Sequence, residues 1–132
     1  MNAPKILIVD DDVMFLKVVS TKLKASGFLV LTAEDGSSAL GLMREFQPDL
    51  ILLDISFPPD VAHGGGVAWD GIQLMNWIRQ TLNAKVPIVI ITAIENIEVR
   101  TKAMAAGAAA FLQKPVGGEL IEVIRRILSS DF

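Results

Sequence analysis

The chain has 132 residues, 52% of them hydrophobic and 20% charged, with 12 basic against 15 acidic side chains and a net charge of −3. That length suits one domain over residues 1–132 with a sizeable core, and an acidic balance without basic clusters argues against direct nucleic-acid binding. The absence of cysteine excludes disulfides, thiolate catalysis and Cys-ligated zinc; the apolar runs fall short of the ~18 residues a membrane span needs, and the opening MNAPK is no secretory leader, so a cytoplasmic chain with no membrane partner is expected.

Short aliphatic runs alternate with segments of helical period. The first run, Lys5–Val9, leads directly into Asp10, Asp11 and Asp12. Asp is a preferred N-cap, so Asp12 is expected to turn away and cap a helix from about Val13 to Ser26, with Leu16, Val19 and Leu23 on one face and Gly27 as its stop. The second run, Phe28–Thr32, precedes a helix that follows Gly36, carries Ala39, Met43 and Phe46 inward and ends at Pro48. The third run, Leu50–Asp54, opens into the Pro/Gly-rich stretch SFPPDVAHGGGVAW at 56–69. Connections beyond roughly 12 residues inside a compact domain are usually functional or mobile. A helix from about Asp70 to Leu82 follows, with Leu74, Ile78 and Leu82 inward. The fourth run, Ile88–Thr92, precedes a helix over about Asn96 to Ala106 that stops at Gly107. The fifth run, Ala109–Gln113, is the poorest strand by propensity, and a last helix covers about Gly118 to Ser129 with Leu120, Ile124 and Ile127 inward.

The order is βα repeated five times, and the first four runs show so little alternation that they read as strands buried on both faces. Right-handed crossovers then give an α/β, doubly wound, five-stranded parallel sheet in a three-layer sandwich. In such sheets ligands bind beyond the carboxyl ends of the strands. The residues there are Asp10, Asp11 and Asp12 after the first strand, Asp54 ending the third, Thr92 ending the fourth, and Lys114 and Pro115 after the fifth. Carboxylates about 4 Å apart repel by about 4 kcal/mol per pair at an effective dielectric of 20. A hard divalent cation such as Mg²⁺, which takes one or two carboxylates plus a phosphate, would make the cluster tolerable. A carboxylate can also serve as a covalent nucleophile in phosphoryl transfer.

ILIVDDD, PDLILLDISFP, PIVIITA and FLQKP, in this order along the chain, resemble the response-regulator receiver domains of two-component signalling, CheY-like proteins of flavodoxin-like (βα)5 fold with strand order 2-1-3-4-5. The resemblance implies that Asp54 is the phospho-acceptor for a phosphohistidine of a sensor histidine kinase or a histidine phosphotransfer protein. It implies Asp11 and Asp54 as direct Mg²⁺ ligands, Asp10 as a ligand held largely through water, and the backbone carbonyl of Ser56 as a further metal oxygen. Thr92 and Lys114 would bind phosphoryl oxygens, and Lys114–Pro115 falls where the family has a cis peptide. Phe111 occupies the place of a switching aromatic, with plain core packing as the alternative. Phosphorylation would draw Thr92 and Lys114 inward and shift the fourth helix and fifth strand. The output is expected through protein–protein contacts of the face built by the fourth helix, fifth strand and fifth helix, to a downstream protein target or a homodimer partner. No output segment is expected after Phe132, though an excised domain of a larger protein is an alternative.

The chain departs from the family where eleven residues separate Pro58 from Asp70. The family has a short turn there, and the extra length is read as a flap or a partner-specific surface. His63 in this stretch reads as solvated and Trp69 as a packing anchor. Ile94, two after Thr92, cannot orient a water, which implies slow self-dephosphorylation. Two other functions stay open: a receiver-like scaffold that is never phosphorylated, and an aspartate-based phosphatase. The latter is disfavoured because Ser56 stands where its general acid is often found, so the chain is not expected to be an enzyme beyond its own phosphotransfer and dephosphorylation.

Overall fold

The computed structural model describes residues 3–55, 71–81, 85–93 and 97–129. Its elements are β1 (Lys5–Val9), α1 (Val13–Ala25), β2 (Leu29–Ala33), α2 (Gly36–Phe46), β3 (Leu50–Leu53), α3 (Gly71–Thr81), β4 (Ile88–Thr92), α4 (Ile97–Ala105), β5 (Ala110–Gln113) and α5 (Glu119–Ser129). The strands form one parallel sheet in the order β2-β1-β3-β4-β5, as expected.

Alternation along the strands divides the core in two. Ile6, Ile8, Leu50, Leu52, Val89 and Ile91 face one side, where α1 and α5 cover them with Leu16, Val19, Leu23, Leu120 and Ile124. Leu7, Val9, Ile51, Leu53, Ile88 and Ile90 face the other, under Ala39 and Met43 of α2, Leu74, Met75 and Ile78 of α3, and Ala103 of α4. The three central strands are therefore buried along their length, apart from Lys5 at the start of β1. β2 is not, contrary to its composition: it lies at the sheet edge, and Leu29 is 51% exposed.

The helix boundaries follow from caps. Asp12 accepts from the N–H groups of Met14 and Phe15 and starts α1; Asp35 accepts from Ser38 at 2.7 Å and starts α2. Gly27 (φ 95°) and Gly107 (φ 101°) end α1 and α4 in the left-handed region. In both cases the next residue's N–H reaches back to a helix carbonyl, Phe28 to Leu23 and Ala108 to Ala103, each at 3.1 Å. Gln47, at φ 49°, ends α2 in the same region without being glycine. Phe46, expected to point inward, is 38% exposed. It shares the stripe of Ala39 and Met43 but is the last residue of α2, with no further turn to cover it. Ile127 is half-buried. Leu82, Ser56, the 56–69 stretch with His63 and Trp69, and Ile94 lie outside the described residues.

Candidate functional site

The residue following each of three strands is held by one more sheet-like bond. Asp10 N–H donates to Ala33, the last residue of β2, at 3.0 Å; Asp54 N–H donates to Val9, the last of β1, at 3.0 Å; Lys114 N–H donates to Thr92, the last of β4, at 2.9 Å. The backbones carrying these side chains are thus as fixed as the sheet, the kind of rigid element that precise sites require. The Lys114–Pro115 peptide is cis, at the position expected.

Convergence follows from topology. One carboxylate oxygen from each of Asp10, Asp11 and Asp54 lies within 4.8 Å of the others. Asp10 and Asp54 are 1% and 4% exposed, whereas Asp11 faces solvent. The Lys114 ammonium reaches Asp10 Oδ2 at 2.6 Å and Asp54 Oδ2 at 3.4 Å. Thr92 is fully buried at the end of β4. Phe111 is half-buried against the α2–α3–α4 side of the sheet, with the Arg100 guanidinium 5.9 Å from its ring centroid. A cavity of about 640 Å³ opens at the opposite ends of β3 and β4, against Pro48, Asp49, Val86 and Pro87, and shares no residue with the acidic rim.

The three consecutive acids meet three different environments. Asp10 turns into the sheet, where Oδ1 accepts from Asp12 N–H at 2.9 Å and Oδ2 takes the lysine. Burial pushes the Asp10 carboxyl above the ordinary aspartate range, with the Asp54 charge adding to it; the bonds from Lys114 and Asp12 offset this only in part. Burial alone would pull the Lys114 ammonium down, but the bond to Asp10 and the charges of Asp54 and Asp10 outweigh it and raise it.

The donor set suits a hard cation. Three carboxylates with oxygens this close are the ligand type Mg²⁺ takes, and among the described residues one ammonium, that of Lys114, reaches them. Sequence reasoning assembled Asp10, Asp11, Asp54, Thr92 and Lys114 at one rim. It did not foresee that Lys114 pairs most closely with Asp10, nor that Phe15 packs its ring over the ammonium, 4.2 Å from centroid to Nζ. The available signal was an aromatic three residues after the N-cap of the helix that leaves the acidic rim.

Comparison with known proteins agrees with this geometry. The response regulator receiver domain family matches residues 6–125. "Transcriptional regulatory protein PrrA" of Mycobacterium tuberculosis is 33% identical over 129 residues, covering 97% of this chain and 51% of that protein. "Probable transcriptional regulator ycf27" of Guillardia theta is 34% identical over 125 residues, covering 94% and 45%. The chain thus spans about half the length of the curated relatives it matches. Among solved structures, a putative response regulator from Chloroflexus aurantiacus superposes with a TM-score of 0.83 at 30% identity, covering 97% of this chain and 99% of that one. The chemotaxis protein CheY4 of Vibrio cholerae gives 0.81 at 28%, covering 95% and 98%. No helix among the described residues is long and apolar enough to cross a membrane. With its five-stranded order, its acidic rim and this match over residues 6–125, the chain belongs to the response regulator receiver domain family.

Proposed function

We propose that the chain is a phosphorylation-dependent switch in which Asp54 accepts a phosphoryl group from a phosphohistidine of a sensor histidine kinase or a histidine phosphotransfer protein. The observation that carries the reading is the placement of Asp54, 4% exposed, within 4.8 Å of two further carboxylates and 3.4 Å from an ammonium. A carboxylate oxygen of Asp54 attacks phosphorus, the P–N bond breaks, and the electron pair leaves with the imidazole. Mg²⁺, when bound, supplies charge neutralisation for the phosphoryl oxygens. Asp10, Asp11 and Asp54 would hold it, with the carbonyl of Ser56 as a further ligand.

The chain's own residues do the rest. Asp54 is presented by a backbone bonded to β1, so the nucleophile is aligned without a conformational search. Lys114, already at the rim, pairs with a phosphoryl oxygen once Asp54 carries it, and the Thr92 hydroxyl binds another. Because that exchange alters the contacts of Lys114 and Thr92, it biases β5 and α4, and α4, β5 and α5 form the output surface for a downstream protein or a second copy. Ile94, two residues after Thr92 in the sequence and unable to orient a water, favours a long-lived phospho-form. The chain is the recipient of the group and not a multiple-turnover enzyme.

The test is acetyl phosphate with Mg²⁺ followed by intact mass. One phosphoryl group is expected, absent in Asp54→Ala and in chelator. No gain, or a gain that survives Asp54→Ala, would overturn the reading.

A further inference from the structure

Among the described residues, the Lys114 ammonium meets Asp10 Oδ2, Asp54 Oδ2 and the ring of Phe15. The carboxylates belong to the site already described. Phe15 does not. It lies on α1, is half-buried, and its side chain has no hydrogen-bond donor or acceptor. We propose that Phe15 is a positioning residue for Lys114, its ring face holding the ammonium at the rim so that it meets the phosphoryl group of Asp54 already aligned.

Two observations carry this. The distance of 4.2 Å from Nζ to the ring centroid is well inside the range of about 6 Å over which a ring quadrupole attracts a cation. The contact also closes a circuit: Asp10 Oδ1 accepts from Asp12 N–H, Asp12 Oδ1 accepts from Phe15 N–H, the Phe15 ring covers Lys114 Nζ, and Lys114 returns to Asp10 Oδ2. The N-cap that starts α1 therefore also sets where the ring sits. Lysine carries its charge on a long flexible stem, and this one is 17% exposed, so water competes with the rim for the side chain. A leucine at position 15 would fill the same space without attracting the charge. The kinetic consequence rests on the phospho-acceptor reading above, whereas the contact itself does not.

The experiment uses the full chain with Phe15 replaced by phenylalanines carrying successive ring fluorines, which withdraw π density while nearly keeping the shape, and with Phe15→Leu and Phe15→Tyr. Two readouts are taken: the initial rate of phosphoryl gain from acetyl phosphate with Mg²⁺, and the NMR shifts of the Lys114 ε-methylene protons beside the ring. The rate should fall with each fluorine, by about 3- to 10-fold at the end of the series, with an unchanged melting temperature. Phe15→Leu should match the most fluorinated form, and Phe15→Tyr, which keeps the π face, should retain the rate. A rate that is flat through the fluorines and Phe15→Leu would overturn the proposal. If the parent chain takes no phosphoryl group, the phospho-acceptor reading falls and the shifts decide alone. Ring-shifted ε protons that relax in Phe15→Leu uphold the positioning, and unshifted ε protons in the parent overturn it.

Discussion

Replacing Lys114 by methionine removes the ammonium and keeps a chain of similar length. Asp10, at 1% exposed, is left with Asp12 N–H and with Asp54, itself 4% exposed, as a like-charged neighbour. Removing one partner of a buried ion pair costs about 3–5 kcal/mol. The lysine side chain is 17% exposed, so water reaches the gap, and about 2–3 kcal/mol is the expected loss at neutral pH. For a domain of this size that corresponds to about 8–12 °C in melting temperature. The loss depends on pH. The folded-state pKa of Asp10 lies above its ordinary value because of burial, and it rises further without the lysine, which pulls it down. A carboxyl raised in this way costs stability above its folded pKa, and the cost is relieved as pH falls through that value towards the unfolded one. Lys114 is also raised in the folded state. Its contribution to the parent is present below the unfolded lysine value and lost only as alkaline pH passes the folded one. The gap between parent and Lys114→Met should therefore be widest near neutrality and shrink in acid. Urea unfolding in chelator, at neutral and at acid pH, measures it. A gap that is absent at neutral pH, or equal at both, would refute the electrostatic account of the rim.

Asp12→Ala removes the cap that accepts from Met14 and Phe15 and should cost about 1 kcal/mol in urea unfolding. Gly27→Ala places a Cβ at φ 95° with nothing within 4 Å of it, so the expected loss of about 1 kcal/mol reflects backbone strain rather than a clash. Mg²⁺ at about ten times its dissociation constant should add about 1.4 kcal/mol to the unfolding free energy. Calorimetry should find that uptake sharply weakened in Asp11→Ala.

The fold was legible because period and punctuation agree along the chain. β1 and β4 fall where their aliphatic runs do, and α1 stops where Gly27 adopts a positive φ. The errors have a common physical source. Leu29 and Phe46 have core-like composition and spacing, yet both are exposed. A hydrophobic pattern records which side chains prefer burial. It does not record where a sheet ends or where a helix runs past the layer it covers, since those are set by strand order and element length.

The site was legible for a different reason. Parallel strands place all their carboxyl ends at one edge, so Asp10, Asp54, Thr92 and Lys114 fall on one rim once five βα units are recognised. Their pairings were not implied in the same way. Asp10 and Lys114 are separated by 104 positions, and nothing local distinguishes Asp10 from Asp54 as the lysine's closer partner. Geometry at the strand end makes that choice: the backbone changes direction after β1, so Asp10 turns into the sheet, Asp11 towards solvent and Asp12 onto its own helix. The three adjacent acids thus become a buried ion-pair partner, an exposed carboxylate and a helix cap. Only Asp12 leaves the cluster, while Asp10 and Asp11 keep carboxylate oxygens within 4.8 Å of each other and of Asp54 beside the Lys114 ammonium, and the same first turn of α1 that Asp12 caps delivers Phe15 to the lysine.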